Sequence, residues 1–380
     1  MLIYNNLHSV FSRNTFESMP TALFCDASSI KLPMTGVQLA VMEQVRALSS
    51  SLPSHIQSHF FVHKNVWHHL PESVQTIDIA DCPSNPLPRI IWQQFRLPYI
   101  LKKRQADLLY ALAYTAPYDC SVPYILNVHD IIALENPELC SWRNLLQMKV
   151  LLGHSIRHAK KSVVSTNHGA DALMRILNIP SEQIVVNPLG VDNQFFSSPS
   201  PRIHPRPYIL FVGNIEPKKS LDTLLDAYSE TADDLKVDLV VVGRAAWKSQ
   251  KTVGRLKHWK GQGTVHWMNY VPREQLPGIY QHAEALIMPS ITEGFGLPVL
   301  EAMAAGTPVI HSNHPALCEA AGKAGLAFAI KNTEELSMQL RRILRSETLR
   351  QELIDAGRRH AAQRSWQRWG IQAAHLIEDI

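Results

Sequence analysis

The chain has 380 residues, of which 46% are hydrophobic and 18% are charged. This composition is typical of a soluble globular protein with substantial cores, and the length allows two domains. The net charge of +4 is compatible with anionic small molecules or a membrane surface, and it is too weak to predict nucleic-acid binding.

No apolar run approaches the roughly 18 residues that span a bilayer. Residues 1–19 lack the apolar core of a signal peptide and precede a second methionine, so we treat them as an extension of uncertain relevance. The five scattered cysteines, none of them in a C-x-x-C motif, predict reduced thiols in a cytosolic protein. They are Cys25, Cys82, Cys120, Cys140 and Cys318.

Strands and helices alternate along the first half of the chain. The predicted strands are "TALFCDAS" (21–28), "DLLYAL" (107–112), "PYILNVHD" (123–130), "KSVVST" (161–166) and "EQIVVNPLGVD" (182–192). Apolar residues at helical spacing predict helices at 37–48, 141–159 and 167–179.

A polar, proline-rich segment, 197–207, is the predicted linker, because so many prolines fit neither a helix nor a central strand. The pattern then restarts. Its strands are "YILFVGN" (208–214), "VDLVVVG" (237–243), "TVHWMNYV" (264–271), "EALIMPS" (284–290), "TPVIHSN" (307–313) and "LAFAI" (326–330), and helices alone follow from about residue 333.

Short buried strands separated by helices predict a parallel sheet in each half. The expected architecture is α/β, with two doubly wound Rossmann-like domains facing a central cleft. The predicted divisions are an N-terminal domain at 20–196, a C-terminal domain at 208–364, and a last helix at 365–380 that packs back toward the first domain. Ligands of such sheets bind at the carboxyl ends of the strands.

The stretch "ITEGFGLPVLEAMAAGTPVI" (291–310) places two glutamates around a Gly-Phe-Gly-Leu-Pro turn. A helix starting near Pro298 would present free N–H groups to an anion. Glu301 then lies one turn into an apolar helix, where a buried carboxylate needs partners. Ligand hydroxyl groups and a structural arginine or backbone amide are both open as those partners.

Three further positions lie at predicted strand ends. Lys218 and Lys219 stand before a helix that begins near Ser220, which is unfavourable unless an anion shares the site. Gly36 would let a ligand approach the backbone, although one loop glycine is more often a simple turn. His129 stands at the carboxyl end of the predicted strand 123–130, at the edge of the cleft.

Two kinds of site are not indicated. The chain has no HExxH motif, cysteine–histidine cluster or D-x-D at a strand end, so no metal and no cofactor are predicted. The dinucleotide fingerprint would need glycine at position 299, where valine stands, and a P-loop motif is absent.

Taken together, these stretches resemble the retaining glycosyltransferases of family four (glycosyl transferases group 1), which have the GT-B fold. The resemblance covers nearly the whole chain from about residue 20. It rests on "PSITEGFGLPVLEAMAAGTPVIHSNHPALCEAAGKAG", with its E-x7-E frame from Glu293 to Glu301, on "YILFVGNIEPKKSLDTLLDAY", on "VHWMNYVPREQLPGIYQHAEALIMPS" and on "NVHDIIALENPE".

The resemblance implies transfer of a sugar from a nucleotide-diphosphate donor with retention of configuration, by front-side substitution. His129, Lys219 and Glu293 would be catalytic. The donor would contact Gly36, Lys218, Lys219, Val271, Glu293, Gly294, Phe295, Gly296, Leu297 and Glu301, with Glu301 holding the ribose and the glycine turn the diphosphate. Many relatives carry arginine where Asn214 stands, so Lys218 or Arg244 would have to supply that charge.

The donor implied by the resemblance is GDP-mannose or a UDP-sugar, and the acceptor a glycan or lipid-linked glycan of the kind used in polysaccharide, lipopolysaccharide or O-antigen biosynthesis. Two alternatives stay open, a nucleotide-sugar 2-epimerase of similar fold and a catalytically silent nucleotide-sugar-binding subunit. The segments 80–104 and 143–161 mix apolar and basic residues. They suit either docking at the inner face of a membrane or ordinary packing on a sheet.

Overall fold

The computed structural model describes residues 22–32, 34, 36–72, 74–79, 82–83, 85–140, 148–196 and 201–380. The predicted extension 1–19, the first part of the linker (197–200) and the start of the predicted helix 141–159 lie outside the described residues. The remaining residues of the linker, 201–207, contain neither helix nor strand.

The first half forms a sheet whose described strands are all parallel, in the order β3-β2-β1-β4-β5-β6-β7. These strands are Ala22–Asp26 (β1), Gln57–Val62 (β2), Thr76–Asp78 (β3), Leu108–Ala111 (β4), Tyr124–Val128 (β5), Lys161–Val164 (β6) and Ile184–Val186 (β7). The order reverses between β1 and β4, which opens a crevice at their carboxyl ends.

The second half repeats this plan in a parallel sheet of order β10-β9-β8-β11-β12-β13. Its strands are Tyr208–Val212 (β8), Asp238–Val242 (β9), Val265–Met268 (β10), Ala285–Met288 (β11), Val309–Ser312 (β12) and Gly325–Phe328 (β13). The order reverses between β8 and β11. The prediction of two doubly wound α/β domains is confirmed.

Helices cover both sheets. In the first half they are Gly36–Ser51 (α1), Pro86–Lys103 (α2), Ile132–Glu135 (α3), Gly153–His158 (α4) and Asn167–Leu177 (α5). In the second half they are Leu221–Leu235 (α6), Gln250–Lys257 (α7), Leu276–Gln281 (α8), Leu297–Ala305 (α9), Pro315–Ala321 (α10), Thr333–Arg345 (α11), Glu347–Ala362 (α12) and Trp366–Glu378 (α13). No helix among the described residues is both long and apolar enough to cross a bilayer.

Two local features of the structure were not predicted from the sequence. The strands β2 and β3 were not predicted, because "QSHFFV" and "TID" are short and carry polar residues. The predicted helix 141–159 is described only from Met148, where a π-helical turn, Met148–Leu152, precedes α4. A π turn shifts the side-chain register, which helical spacing in a sequence cannot reveal.

The last helix returns to the first half of the chain and packs on α1. A Cβ atom at Gly370 would lie 2.5 Å from the carbonyl oxygen of Ala47, so the two helix backbones are in close contact. Asn187 donates a hydrogen bond to the Trp369 carbonyl oxygen at 3.1 Å. Trp369 is buried against Tyr110 of β4, with ring centroids 6.5 Å apart. The last helix, α13, therefore packs against the first domain.

Candidate functional site

The carboxyl ends of the two sheets face a cavity of about 660 Å3 between the halves of the chain. Every residue that the sequence predicted for the site lines this cavity. They are Gly36, His129, Lys218, Lys219, Val271, Glu293, Gly294, Phe295, Gly296, Leu297 and Glu301. The topology explains the convergence, because loops that follow the strands at a reversal of strand order lie beside one another.

Lys219 and Glu293 form an ion pair on the second-domain side of the cavity. Their side chains are 13% and 9% exposed, and Ser290 donates a second hydrogen bond to Glu293 Oε1 at 2.7 Å. Burial alone would raise the pKa of Glu293. The ammonium groups of Lys219 and Lys218 outweigh it, so the pKa of Glu293 lies below its usual value. Glu293 is therefore ionised and positions the Lys219 ammonium group.

Lys218 lies beside this pair, with its Nζ atom 3.5 Å from Glu216 Oε1. Burial would lower the pKa of Lys218, but Asp130, Glu216 and Glu293 raise it above its usual value. The lysine turn is also tied to the glutamate loop, because Ile291 N donates to the Lys218 carbonyl oxygen at 2.7 Å. Two charged ammonium groups are thus held at the end of β8.

The glycine turn leads directly into α9. Gly296 is the N-cap residue and has a φ of +105°, a conformation that favours glycine. Pro298 lies in the first turn of the helix, where its missing N–H costs nothing. Pro298 has no N–H group and Val299 N donates to the Gly296 carbonyl oxygen at 2.9 Å. The donors that this turn can present to the cavity are therefore the N–H groups that precede Pro298.

Glu301 has two protein partners and still lines the cavity. Arg273 Nη1 donates to its Oε1 at 3.3 Å, and the Tyr280 hydroxyl donates to its Oε2 at 2.9 Å. A carboxylate accepts about four hydrogen bonds, so Glu301 retains about two acceptor sites. Both partners that the sequence left open for this carboxylate are therefore compatible: a structural arginine contacts it, and its free acceptor sites suit ligand hydroxyl groups.

His129 lies across the cavity on the first domain and is 9% exposed. Its Nε2 is 2.8 Å from the Leu112 carbonyl oxygen. Because a carbonyl only accepts, Nε2 carries the proton and the lone pair of the neutral ring is on Nδ1. Burial lowers the pKa of His129, and this outweighs the hydrogen bond to Leu112 and the charge of Asp130. The imidazole is neutral near pH 7.

Close contacts between the domains lie beside the cavity, and two of them involve Gly294 and Glu319. A Cβ atom at Gly294 would lie 2.2 Å from the His129 carbonyl oxygen, so only glycine permits this approach. Further out, the Glu319 carboxylate of α10 accepts hydrogen bonds from the N–H groups of Asn167 and His168, each at 2.7 Å. These groups form the N-terminus of α5 in the first domain, where a negative charge is favourable.

The position of the missing arginine, Asn214, also lines the cavity. Arg244, one of its two proposed substitutes, lies with its guanidinium carbon 4.4 Å from the centre of the Tyr270 ring. Tyr270 is 53% exposed and precedes Val271. This pair forms a flat, cationic surface at the edge of the cavity, whereas Lys218 lies next to Lys219.

Sequence reasoning did not find Arg273, Tyr280 and Ser290, which position the two glutamates. Arg273 is part of "VPREQL" and Tyr280 ends the short helix α8, and neither carries a motif. Ser290 does not cap a helix, because α9 begins only at Leu297. The serine instead contacts the glutamate side chain.

Residues 192–360 match the family "Glycosyl transferases group 1". The chain is 28% identical over 267 residues to the O-antigen chain mannosyltransferase B of Escherichia coli, and the aligned part is 67% of this chain and 70% of that protein. It is 29% identical over 248 residues to the MMP alpha-(1->4)-mannosyltransferase of Mycolicibacterium hassiacum, which covers 64% of this chain but 59% of that protein, less than two thirds.

Solved structures share the fold at lower identity. Sucrose-phosphate synthase from Thermosynechococcus elongatus superposes with a TM-score of 0.76 at 18% identity, covering 94% of this chain and 98% of that one. HepE from Anabaena, in complex with UDP-glucose, superposes with a TM-score of 0.73 at 15% identity, covering 95% and 100%. Residues 192–360 therefore resemble the glycosyl transferases group 1, and the chain is a glycosyltransferase with the GT-B fold.

Proposed function

We propose that this glycosyltransferase moves mannose from GDP-mannose to a glycan or lipid-linked glycan acceptor, with retention of the anomeric configuration. The observation that carries the proposal is the convergence of two lysine ammonium groups and the N-terminus of α9 in one cavity. This arrangement suits a diphosphate that becomes more negative as the sugar leaves. Mannose is favoured over the sugar of a UDP donor because relatives such as the E. coli protein are named mannosyltransferases.

Each side chain has a task in this proposal. Lys219, positioned by Glu293, neutralises the leaving diphosphate, and Lys218 supplies the charge that Asn214 lacks. The free acceptor sites of Glu301 take the ribose hydroxyl groups. The backbone near Val271 meets the base, and Gly36, whose Cβ would have no neighbour within 4 Å, leaves room for the phosphates. Neutral His129 accepts a hydrogen bond from the transferred sugar at Nδ1.

The purified chain, incubated with GDP-mannose and a lipid-linked glycan, should release GDP and form an α-mannoside. UDP-glucose is the competing donor, because HepE was solved with it. Lys219→Met should lower turnover by about 10²–10³-fold, while Lys251→Met, at an exposed lysine of α7, should leave it unchanged. Conversion of the donor to a 2-epimer in the absence of acceptor would establish the epimerase instead. Donor binding without any turnover would establish the silent subunit.

We further propose that the enzyme works at the cytoplasmic face of an anionic membrane, docked through α2. Four large apolar side chains lie along one side of this helix at a spacing of four residues, and each is at least half exposed. They are Leu87 (69%), Ile91 (53%), Phe95 (78%) and Tyr99 (55%). An ordinary packed amphipathic helix buries its apolar face. This helix does so with Trp92, Leu97 and Leu101, and presents a second apolar stripe to solvent.

Charge and position favour a lipid surface as the occupant of this stripe. Arg96, Lys102, Lys103 and Arg104 are all exposed beside it, and each cation near an anionic leaflet contributes about 1 kcal/mol. Arg89 of the same helix lines the cavity. A bilayer under the stripe would therefore bring a lipid-linked acceptor to the opening of the cleft.

Co-sedimentation with vesicles tests this surface. The chain should bind vesicles containing phosphatidylglycerol and not vesicles of phosphatidylcholine alone. Phe95→Ser should weaken binding without lowering the melting temperature, because this side chain is exposed. Ile371→Ser, at a 44% exposed apolar residue of α13, is the matched control and should bind like the wild type. Equal binding of Phe95→Ser and the wild type would contradict docking through α2.

A further inference from the structure

Three metal-ligating side chains meet at the edge of the second sheet opposite the cleft. His204 lies in the segment 201–207 that joins the two sheets, Asp238 is the first residue of β9, and His266 lies in the neighbouring strand β10. The active-site residues lie at the carboxyl ends of the strands, whereas this group lies near the amino end of β9. It is therefore separate from the donor site.

The geometry is that of a ligand set. Asp238 Oδ2 lies 2.8 Å from His204 Nε2 and 3.3 Å from His266 Nε2, and all three ligand atoms are within 4.8 Å of one another. Ligands about 2.0–2.1 Å from a tetrahedral Zn2+ ion are about 3.3 Å apart. Small rotations of the imidazole rings would bring all three atoms to that separation.

Burial and charge favour a cation at this point. The Asp238 side chain is 2% exposed and His204 10%, while His266 is 40% exposed. A buried carboxylate needs a positive partner. Among the residues that the structure describes, its one ion-pair cation besides these histidines is Arg206, whose Nε atom lies 3.5 Å from Oδ1 and whose side chain is 59% exposed. The exposed side of His266 gives an ion and a coordinating water access.

We propose that His204, Asp238 and His266 bind one Zn2+ ion, with water as the fourth ligand. Two imidazoles and a carboxylate are ligands that zinc prefers. The ion replaces the Nε2 protons of the two histidines, whose neutral rings then carry their protons on Nδ1. It fixes the joining segment to β9 and β10 and takes no part in sugar transfer, so it stabilises the second domain.

The test uses the full chain after treatment with a chelator. Titration with Co2+ should give the intense visible absorption of a tetrahedral site, and Zn2+ should displace Co2+ at a ratio of about one ion per chain. Zn2+ should also raise the melting temperature. Asp238→Asn and His266→Ala should each lose the absorption and the rise in melting temperature. His266→Ala is the safer of the two for folding, because this histidine is partly exposed.

His154→Ala is the matched control, because His154 and His158 stack on α4 and form another histidine pair that could bind a metal ion. This variant should keep the Co2+ absorption. Absorption that is lost in His154→Ala and kept in His266→Ala would overturn the proposal. So would the absence of any tetrahedral absorption in the wild type, which would identify the three residues as a hydrogen-bonded cluster only.

Discussion

The buried ion pair of Lys219 and Glu293 contributes to stability, and we propose that Lys219 is also needed for catalysis. Removing one partner of a buried ion pair leaves an uncompensated charge, which costs about 3–5 kcal/mol. In the proposed function, the positive charge of Lys219 also neutralises the leaving diphosphate. The two roles can be separated, because replacing Glu293 by a neutral residue as well removes the first cost without restoring the charge of Lys219.

Lys219→Met should lower both the melting temperature and kcat, the latter by about 10²–10³-fold. The double variant Lys219→Met/Glu293→Gln should recover most of the melting temperature, because no unpaired charge remains, and should stay inactive. Thermal unfolding and product formation measure the two effects. Recovery of activity in the double variant would show that Lys219 serves only to neutralise Glu293.

His129 should make stability depend on pH in a defined direction. Burial lowers its pKa in the folded protein below the usual 6.5, so the unfolded chain binds more protons as the pH falls below 6.5. The stability contributed by the neutral ring is present above that pH and is lost as the pH falls through the folded pKa.

Thermal unfolding of the wild type and of His129→Gln at several pH values between 7.5 and 5 isolates this contribution from that of the other buried histidines. The melting-temperature advantage of the wild type should shrink as the pH falls. An advantage that is constant or grows toward low pH would mean that the ring is charged in the folded protein.

At the level of helices and strands, much could be predicted from the sequence. Strands such as β8 and β11 are uninterrupted apolar runs followed by glycine, proline or polar residues, and they lie within the predicted ranges. The helix α9 begins one residue before the proline that predicted it. The strand β3 was missed because it is only three residues long and none of its residues is buried.

The residues of the candidate site also fall into a group that the sequence predicts and a group that it does not. Residues within one segment, such as Glu293 and Glu301, follow from spacing. The arginine and tyrosine that contact Glu301 come from a loop and from helix α8, more than 20 residues away in the chain. Such partners can be identified only from the folded structure, and the same holds for the three proposed zinc ligands.

The contact between α1 and α13 predicts a packing effect. Gly370→Val would place side-chain atoms where Ala47 O and Ser51 Oγ already lie. We expect a loss of about 1–3 kcal/mol in the free energy of unfolding. Gln372→Val, at an exposed position of the same helix, introduces the same β-branched residue without a clash and should cost only a few tenths of a kcal/mol. Similar losses in both variants, measured by urea unfolding, would argue against close packing of α13.

For the molecule as a whole, Gly294 is a position where the two domains are in close contact beside the site. Gly294→Ala would drive a methyl group into the His129 backbone, and the domains would have to separate. A shift of about 1 Å at the reacting groups reduces rate by about 100-fold, so kcat should fall to that extent while the melting temperature changes little.

Gly254→Ala is the control, because a Cβ atom at this helical glycine has no neighbour within 4 Å. It should keep full activity. A Gly294→Ala variant with wild-type kcat would mean that catalysis does not require the close contact between Gly294 and the His129 backbone.

The central claim is that a nucleotide diphosphate binds where Lys218, Lys219 and the N-terminus of α9 meet. Isothermal titration calorimetry with GDP measures this directly. We predict binding to the wild type and to Lys251→Met, and an affinity lower by about 10–100-fold in Lys219→Met, the loss of one charge-assisted hydrogen bond. Equal affinities in Lys219→Met and the wild type, or no binding of GDP or UDP at all, would contradict the claim.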